Sequence, residues 1–309
     1  MGTVVAMRGT RTVRGWWQDL TDLVLPAECG GCGRGRAVLC PRCRTALGGA
    51  PPCRVRPAPE PPGLPAVHAA APYVDEVRAT LLAHKERGVL ALTAPLGAAL
   101  AGAVRFGLRE APGEAWPSDA GTGAGCVRRP LLLVPVPSAP VAVRTRGHDP
   151  ARRIALAAAG ELRRTGTSAR VLAVLRQRHA VVDQTGLDAR QRLANLAGAL
   201  AVAPGGVGLL RGGGAVVLVD DLMTTGASLS EAARAVRAAT DTAVERRTGP
   251  GTYRSTRSAV YPAAAGEGRE ERKTGPRMTG SHEGGGVIRE AICAAVVAAP
   301  PDSFETNRN

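Results

Sequence analysis

Residues 216–228 read VVLVDDLMTTGAS, and the parsing of this stretch decides the fold. Val216 to Val219 form an unbroken apolar run, rich in β-branched residues, as expected of a strand buried on both faces. Asp220 and Asp221 follow at once, then Thr224, Thr225, Gly226, Ala227 and Ser228. From Leu229 to Ala239 an Ala-rich stretch favours a helix. Strand, short polar loop and helix N-terminus make an anion site. Loop and first-turn N–H groups converge on one phosphate, and the helix dipole favours its charge. Gly226 permits close backbone approach or positive φ. Thr224, Thr225 and Ser228 add hydroxyl donors. Two carboxylates repel a phosphate, but suit neutral hydroxyls or a hard cation such as Mg2+. Phosphate, polyol and Mg2+ together describe a phosphorylated sugar. The plainer alternative is an ordinary β-turn-α unit with a capped helix.

The run resembles the phosphoribosyl-pyrophosphate (PRPP) motif of type I phosphoribosyltransferases. The resemblance implies an α/β fold, a parallel sheet flanked by helices. It also implies that Asp220 and Asp221 hold ribose hydroxyls and that Thr224, Thr225, Gly226, Ala227 and Ser228 surround the 5′-phosphate.

The 309 residues suffice for one large domain and an appendage. Hydrophobic residues make up 44% but aromatics only 3%, so the core must be built of Ala, Val and Leu. A net charge of +14 invites a polyanion. The basic residues are nearly all Arg, with Lys85 and Lys273 the only lysines, and beside the Ala and Gly excess this pattern also suits a GC-rich coding bias. Arg8, Arg11 and Arg14 are followed by no signal-peptide pattern. The stretch Val89 to Val104, interrupted by Thr93, Pro95 and glycines, falls short of a membrane span. The expectation is a cytoplasmic protein whose seven cysteines are metal ligands or free thiols rather than disulfides.

Residues 1–15 carry no pattern and read as disordered. Trp16, Trp17, Leu20, Leu23 and Val24 recur at helical spacing and predict a short amphipathic helix docking on the rest. Asp19 and Asp22 make a membrane-surface role poor. Cys29-Gly-Gly-Cys32 and Cys40-Pro-Arg-Cys43 follow. Two CxxC pairs bring four thiolates to one tetrahedral zinc in a closed, hence structural, site, with a redox dithiol as the competing reading. Cys53 is a spare thiol, and Cys126 and Cys293 read as isolated, buried cysteines. Residues 51–66 are Pro-rich and predict a linker.

From residue 67 the chain becomes structured. Asp75 to Leu108 is helical with a break at Gly88, where Lys85 and Arg87 read as a solvated helix end. Residues 111–129 predict a loop. Leu131 to Val134 is an apolar strand that runs into Pro135-Val136-Pro137-Ser138 and then Arg144, Arg146 and Gly147. Basic residues past the carboxyl end of a parallel strand lie where α/β sheets bind ligands, which suits a pyrophosphate. Ile154 to Leu162 predicts a helix, and Val171 to Leu175 and Gly198 to Val202 predict strands. Between them Arg178, Gln184, Arg190, Arg192 and Asn195 mark a polar loop able to close over an anion, unless a plain surface helix runs from Asp188. Residues 240–286 have no period and read as a disordered insertion. Ile292 to Ala298 is a last strand, expected beside the strand at 216.

In this order the pieces LPAECGGC, LCPRC, Lys85–Gly88, VPVPS, RTRG and VDDLMTTGAS resemble the ComF family. These are phosphoribosyltransferase-like proteins with an N-terminal zinc ribbon, linked in some bacteria to competence and DNA uptake. The resemblance implies a helix and zinc ribbon over 16–50, a phosphoribosyltransferase-like domain over 67–299 with the 240–286 insertion, and a tail at 300–309. It implies PRPP with Mg2+ as ligand, structural Zn2+ on Cys29, Cys32, Cys40 and Cys43, and Ser138, Arg144, Arg146 and Gly147 on pyrophosphate. The catalytic group would be Asp220, Asp221, Arg144 and Arg146, in a glycosyltransferase reaction that releases pyrophosphate to a nitrogenous acceptor lying against the zinc-bearing part. The family usually carries an aromatic, Asn and Gln after the RG pair. Here stand His148, Asp149 and Pro150, and an acid at 149 adds repulsion toward pyrophosphate. Rival functions are a single-stranded nucleic-acid-binding module working with the competence machinery, which scarce aromatics disfavour, and a PRPP-sensing regulator. A homodimer is compatible with either.

Overall fold

The computed structural model describes residues 28–110, 129–178, 189–212, 214–248 and 292–304, and only the backbone of 189, 190, 192, 212 and 242–248. The strands are β1 (Cys53–Val55), β2 (Val67–Pro72), β3 (Leu131–Pro135), β4 (Ala169–Val171), β5 (Leu175–Gln177), β6 (Leu200–Val202), β7 (Val216–Leu222) and β8 (Ile292–Ala299). The helices are α1 (Pro41–Gly48), α2 (Asp75–Lys85), α3 (Thr93–Glu110), α4 (Pro140–Arg146), α5 (Pro150–Arg164), α6 (Ala189–Leu196), α7 (Gly206–Gly212) and α8 (Ala227–Thr248).

Six strands form a sheet in the order β1-β2-β8-β7-β3-β4, parallel except for β1. The apolar runs at 131–135, 216–219 and 294–298 are its centre. Side chains alternate across a strand, so Val217 and Val219 join one core with α2, α3 and α5, whereas Val216 and Leu218 join a second core with α8. Burial on both faces is why these strands read as continuous rather than alternating apolar runs. The last strand lies where expected, with Val216 opposite Ile292 and Val219 opposite Ala295.

Several expectations are corrected. The Pro-rich stretch at 51–66 is not only a linker: Cys53–Val55 adds an antiparallel edge strand to β2. The tail is tied to it, since the Arg56 N–H bonds the Ser303 carbonyl at 2.7 Å and Val55 bridges Phe304. Val171 to Leu175 is not one strand but joins the end of β4 to the start of β5, and the strand at 200–202 pairs with β5 in a separate two-stranded antiparallel sheet. The helix from 227 continues to Thr248, into the stretch expected to be disordered from 240. The amphipathic segment at 16–24, the loop at 111–128, Cys126 and the insertion beyond 248 lie outside the described residues.

Helix α3 with its short 3-10 lead-in, Leu90–Glu110, is long and apolar enough to cross a membrane by length and composition. Half of its window is buried within the protein, with Leu96, Leu100 and Val104 in the core shared with α5 and the sheet. It is built as a core helix.

Candidate functional site

From β3 the chain runs outward through α5 to the edge strand β4. It then returns to the other side of β3 as β7 and continues outward as β8. The direction of winding therefore reverses between β3 and β7, and their carboxyl ends lie side by side: Pro135 faces Val219, and the Val136 N–H bonds the Val219 carbonyl at 2.9 Å. In open α/β sheets such a switch point is where ligands bind. The segments that leave it are VPVPS with RTRG, and DDLMTTGAS.

Parity along β7 sends Asp221 to the same side as Val217 and Val219, toward α2, and Asp220 to the side of Val216 and Leu218. Asp221 is buried and its Oδ2 lies 3.0 Å from Lys85 Nζ, at the end of α2. The Asp220 carboxylate accepts the Asp221 N–H at 2.8 Å. Burial, reinforced by the neighbouring Asp221 carboxylate and opposed by Lys85, pushes the Asp220 carboxyl well above the ordinary range. The Lys85 ammonium offsets part of the pair's negative charge, which favours hydroxyl ligands.

Beyond the acids, Thr224 is exposed and Thr225 and Ser228 half-buried, at the mouth of α8. The N–H groups of Ala227, Ser228 and Leu229 open this helix and have no intrahelical acceptor by position. The first helical bond runs from the Ser230 N–H to the Gly226 carbonyl, 2.9 Å. Gly226 has φ +74, and a Cβ there would stand 3.2 Å from Leu64. The Pro57–Leu64 stretch walls this loop and is fixed to α8, with Ser230 Oγ donating to the Pro62 carbonyl at 2.7 Å and Arg237 donating to the Gly63 carbonyl at 2.8 Å.

On the β3 side Ser138 is half-buried, and α4, which has no buried residue, carries Arg144 and Arg146 toward Gly147. Arg144 is exposed. Arg146 is only 22% exposed and pairs with Glu86 at 3.1 Å. Asp149 has a structural role as well: its carboxylate caps α5, accepting the Arg152 N–H at 3.2 Å. His148 is buried edge-on against His84, ring centroids 5.6 Å apart, where an aromatic residue would pack. His84 bonds Thr93 Oγ1 at 3.1 Å, and burial, with repulsion from His148, lowers its pKa to about 4.

The residues expected in a closing loop are less convergent. Gln184 lies outside the described residues. Arg178 is exposed at the end of β5, its N–H on the Ala199 carbonyl at 2.8 Å. Arg190, Arg192 and Asn195 are on α6, the surface helix weighed as the alternative. Lys85 is the functional candidate that sequence reading missed. The sequence places it in the Lys85–Gly88 segment with a solvated helix end as the plain alternative and no role of its own, although its rarity in a chain with two lysines is a usable signal.

The four cysteines are brought together. Sγ of Cys29, Cys32, Cys40 and Cys43 all lie within 4.8 Å of one another, with Cys32 and Cys40 sulfurs 3.6 Å apart. Thiolates about 2.3 Å from a tetrahedral ion stand roughly 3.8 Å apart, so the set fits a structural metal such as zinc. Burial works to raise the Cys29 thiol, but the N–H groups of Cys32, Cys40 and Gly31 bring it down to about 6. Burial and the surrounding sulfurs raise Cys43. Four thiolates packed this closely need a cation to ionise together. Cys29, Cys40 and Cys43 belong to the main core rather than to a separate lobe. Gly31 fits because a Cβ would strike Cys43 Sγ at 2.7 Å and approach Thr80 of α2, and Arg42 pairs with Glu76 of the same helix. Cys293 is held up to about 11 by burial, as befits a packed thiol.

No protein-family model matches the chain, and no curated protein does.

Proposed function

We propose that the switch-point crevice binds PRPP with Mg2+ and that the protein is phosphoribosyltransferase-like, with four cysteines holding structural zinc. The observation that carries this reading is the union, at one end of β7, of a half-neutralised acid pair with the open N-terminus of α8. The amides of Ala227, Ser228 and Leu229, with the hydroxyls of Thr224, Thr225 and Ser228, suit a 5′-phosphate. Asp220 and Asp221 suit the ribose hydroxyls. Arg144 and Arg146, on the helix that follows β3, suit a pyrophosphate arm.

In transfer, the bond from C1 to the pyrophosphate oxygen breaks and a bond from C1 to the acceptor nitrogen forms, with the acceptor's proton released. The transition state is cation-like at C1, so the protein's task is positioning and charge stabilisation. Mg2+ arriving with PRPP supplies neutralisation of the leaving group. Arg146 adds to it on exchanging Glu86 for the pyrophosphate. A nucleic-acid module is less well supported: Tyr73, Phe106 and Phe304 are all partly covered, so among the described residues no exposed aromatic offers a stacking platform.

A thermal-shift series tests the reading. PRPP with Mg2+ should raise Tm, and ribose 5-phosphate should do so less. No shift with PRPP at millimolar concentration rejects it. A pyrophosphate-release screen over nitrogenous acceptors then separates an enzyme from a sensor.

A further inference from the structure

Lys85 is delivered to the acid pair by a well-anchored helix rather than by a loop. Val77 and Leu81 of α2 are in the main core, Thr80 and Glu76 meet the cysteine knuckle, and His84 bonds Thr93. The ammonium therefore reaches Asp221 from a fixed base. The Lys85 side chain is 33% exposed and that of Asp221 8%, so solvent screens the pair only in part. The attraction of Asp221, against the cost of burial and with help from Asp220, raises the Lys85 pKa. The lysine stays charged throughout the neutral range.

Adjacent carboxylates at a strand end are otherwise a natural seat for a divalent cation. Here one Asp221 oxygen is on an ammonium and one Asp220 oxygen is on a backbone N–H. A free divalent ion entering the pair would meet the ammonium at close range. A neutral hydroxyl would not, and it could donate to the remaining oxygens. We propose that Lys85 is the specificity-determining residue of this site: its ammonium takes the place on Asp221 that a divalent cation would occupy, so the pair accepts hydroxyls and admits a metal ion only together with an anionic ligand.

This builds on the reading of the crevice as a sugar-phosphate site, but its test contains no sugar phosphate. The full chain, with its cysteines zinc-loaded, is titrated with Mn2+ and free ion is followed by electron paramagnetic resonance. Wild type and Asp221→Asn should take up Mn2+ alike. Lys85→Gln should bind at least tenfold more tightly than wild type, and the gain should vanish in Lys85→Gln with Asp221→Asn. Mn2+ should also raise the Tm of Lys85→Gln and leave that of wild type unchanged. Tighter uptake by wild type than by Asp221→Asn overturns the proposal, as does a folded Lys85→Gln that matches wild type. Should Lys85→Gln fail to fold, the comparison of wild type with Asp221→Asn decides alone: equal uptake supports the proposal and Asp221-dependent uptake rejects it. Failure here with PRPP binding intact removes only the role of Lys85. Absence of PRPP binding to wild type removes the reading of the site.

Discussion

Glu231 of α8 accepts the backbone N–H of Leu200 at 2.9 Å, while Arg234, paired with the same carboxylate, donates to the Leu200 carbonyl at 3.0 Å. One helical turn thus satisfies both backbone groups of a residue in β6. It fixes the two-stranded β5–β6 sheet to the helix whose N-terminus opens the candidate site. Glu231 is buried, so truncation leaves an amide without its acceptor. Glu231→Ala should cost about 2 kcal/mol, read from urea midpoints at constant m. Glu231→Gln, which keeps an acceptor oxygen, should cost less.

Gly226→Ala should weaken phosphate binding and destabilise the fold together. The backbone is left-handed there at φ +74, and the added Cβ would press Leu64. The conformational part alone is about 1 kcal/mol. Denaturation and PRPP titration of the same sample check both effects, and a variant equal to wild type in both would refute the close approach.

Chain purified without chelator should carry one zinc. Cys43→Ser should lose it and unfold at markedly lower temperature, because Cys43 belongs both to the four-cysteine cluster and to the core. Metal analysis near zero in the wild type contradicts this.

Much of the fold was legible because its centre is written in apolar runs. Val216–Val219, Leu131–Val134 and Ile292–Ala298 each announce a buried parallel strand, and each is one. The Asp220–Ser228 bend was legible because acids, hydroxyls and glycine occur in register. Lys85 was not, since an ion pair between a helix end and a distant strand leaves no local periodicity. Cys53–Val55 was hidden by the prolines around it, which mark an edge strand as readily as a linker. The capping of α5 by Asp149 was not legible either, because it shows only in the local geometry.

Acid should destabilise the protein through His84. Its pKa in the fold is about 4, against 6.5 for the free side chain, so the unfolded chain takes up the proton first. The stabilisation is complete above pH 6.5 and is lost as pH falls toward 4, on the order of 3 kcal/mol in all. Urea midpoints between pH 7 and 4.5 should fall more steeply for wild type than for His84→Gln. Parallel slopes would contradict the assignment.

The most direct test is isothermal titration of PRPP with Mg2+ into wild type and into the double variant Asp220→Asn with Asp221→Asn. The account predicts saturable binding to wild type and none to the variant, with far-ultraviolet circular dichroism unchanged. No binding to wild type, or equal binding to both, would contradict it.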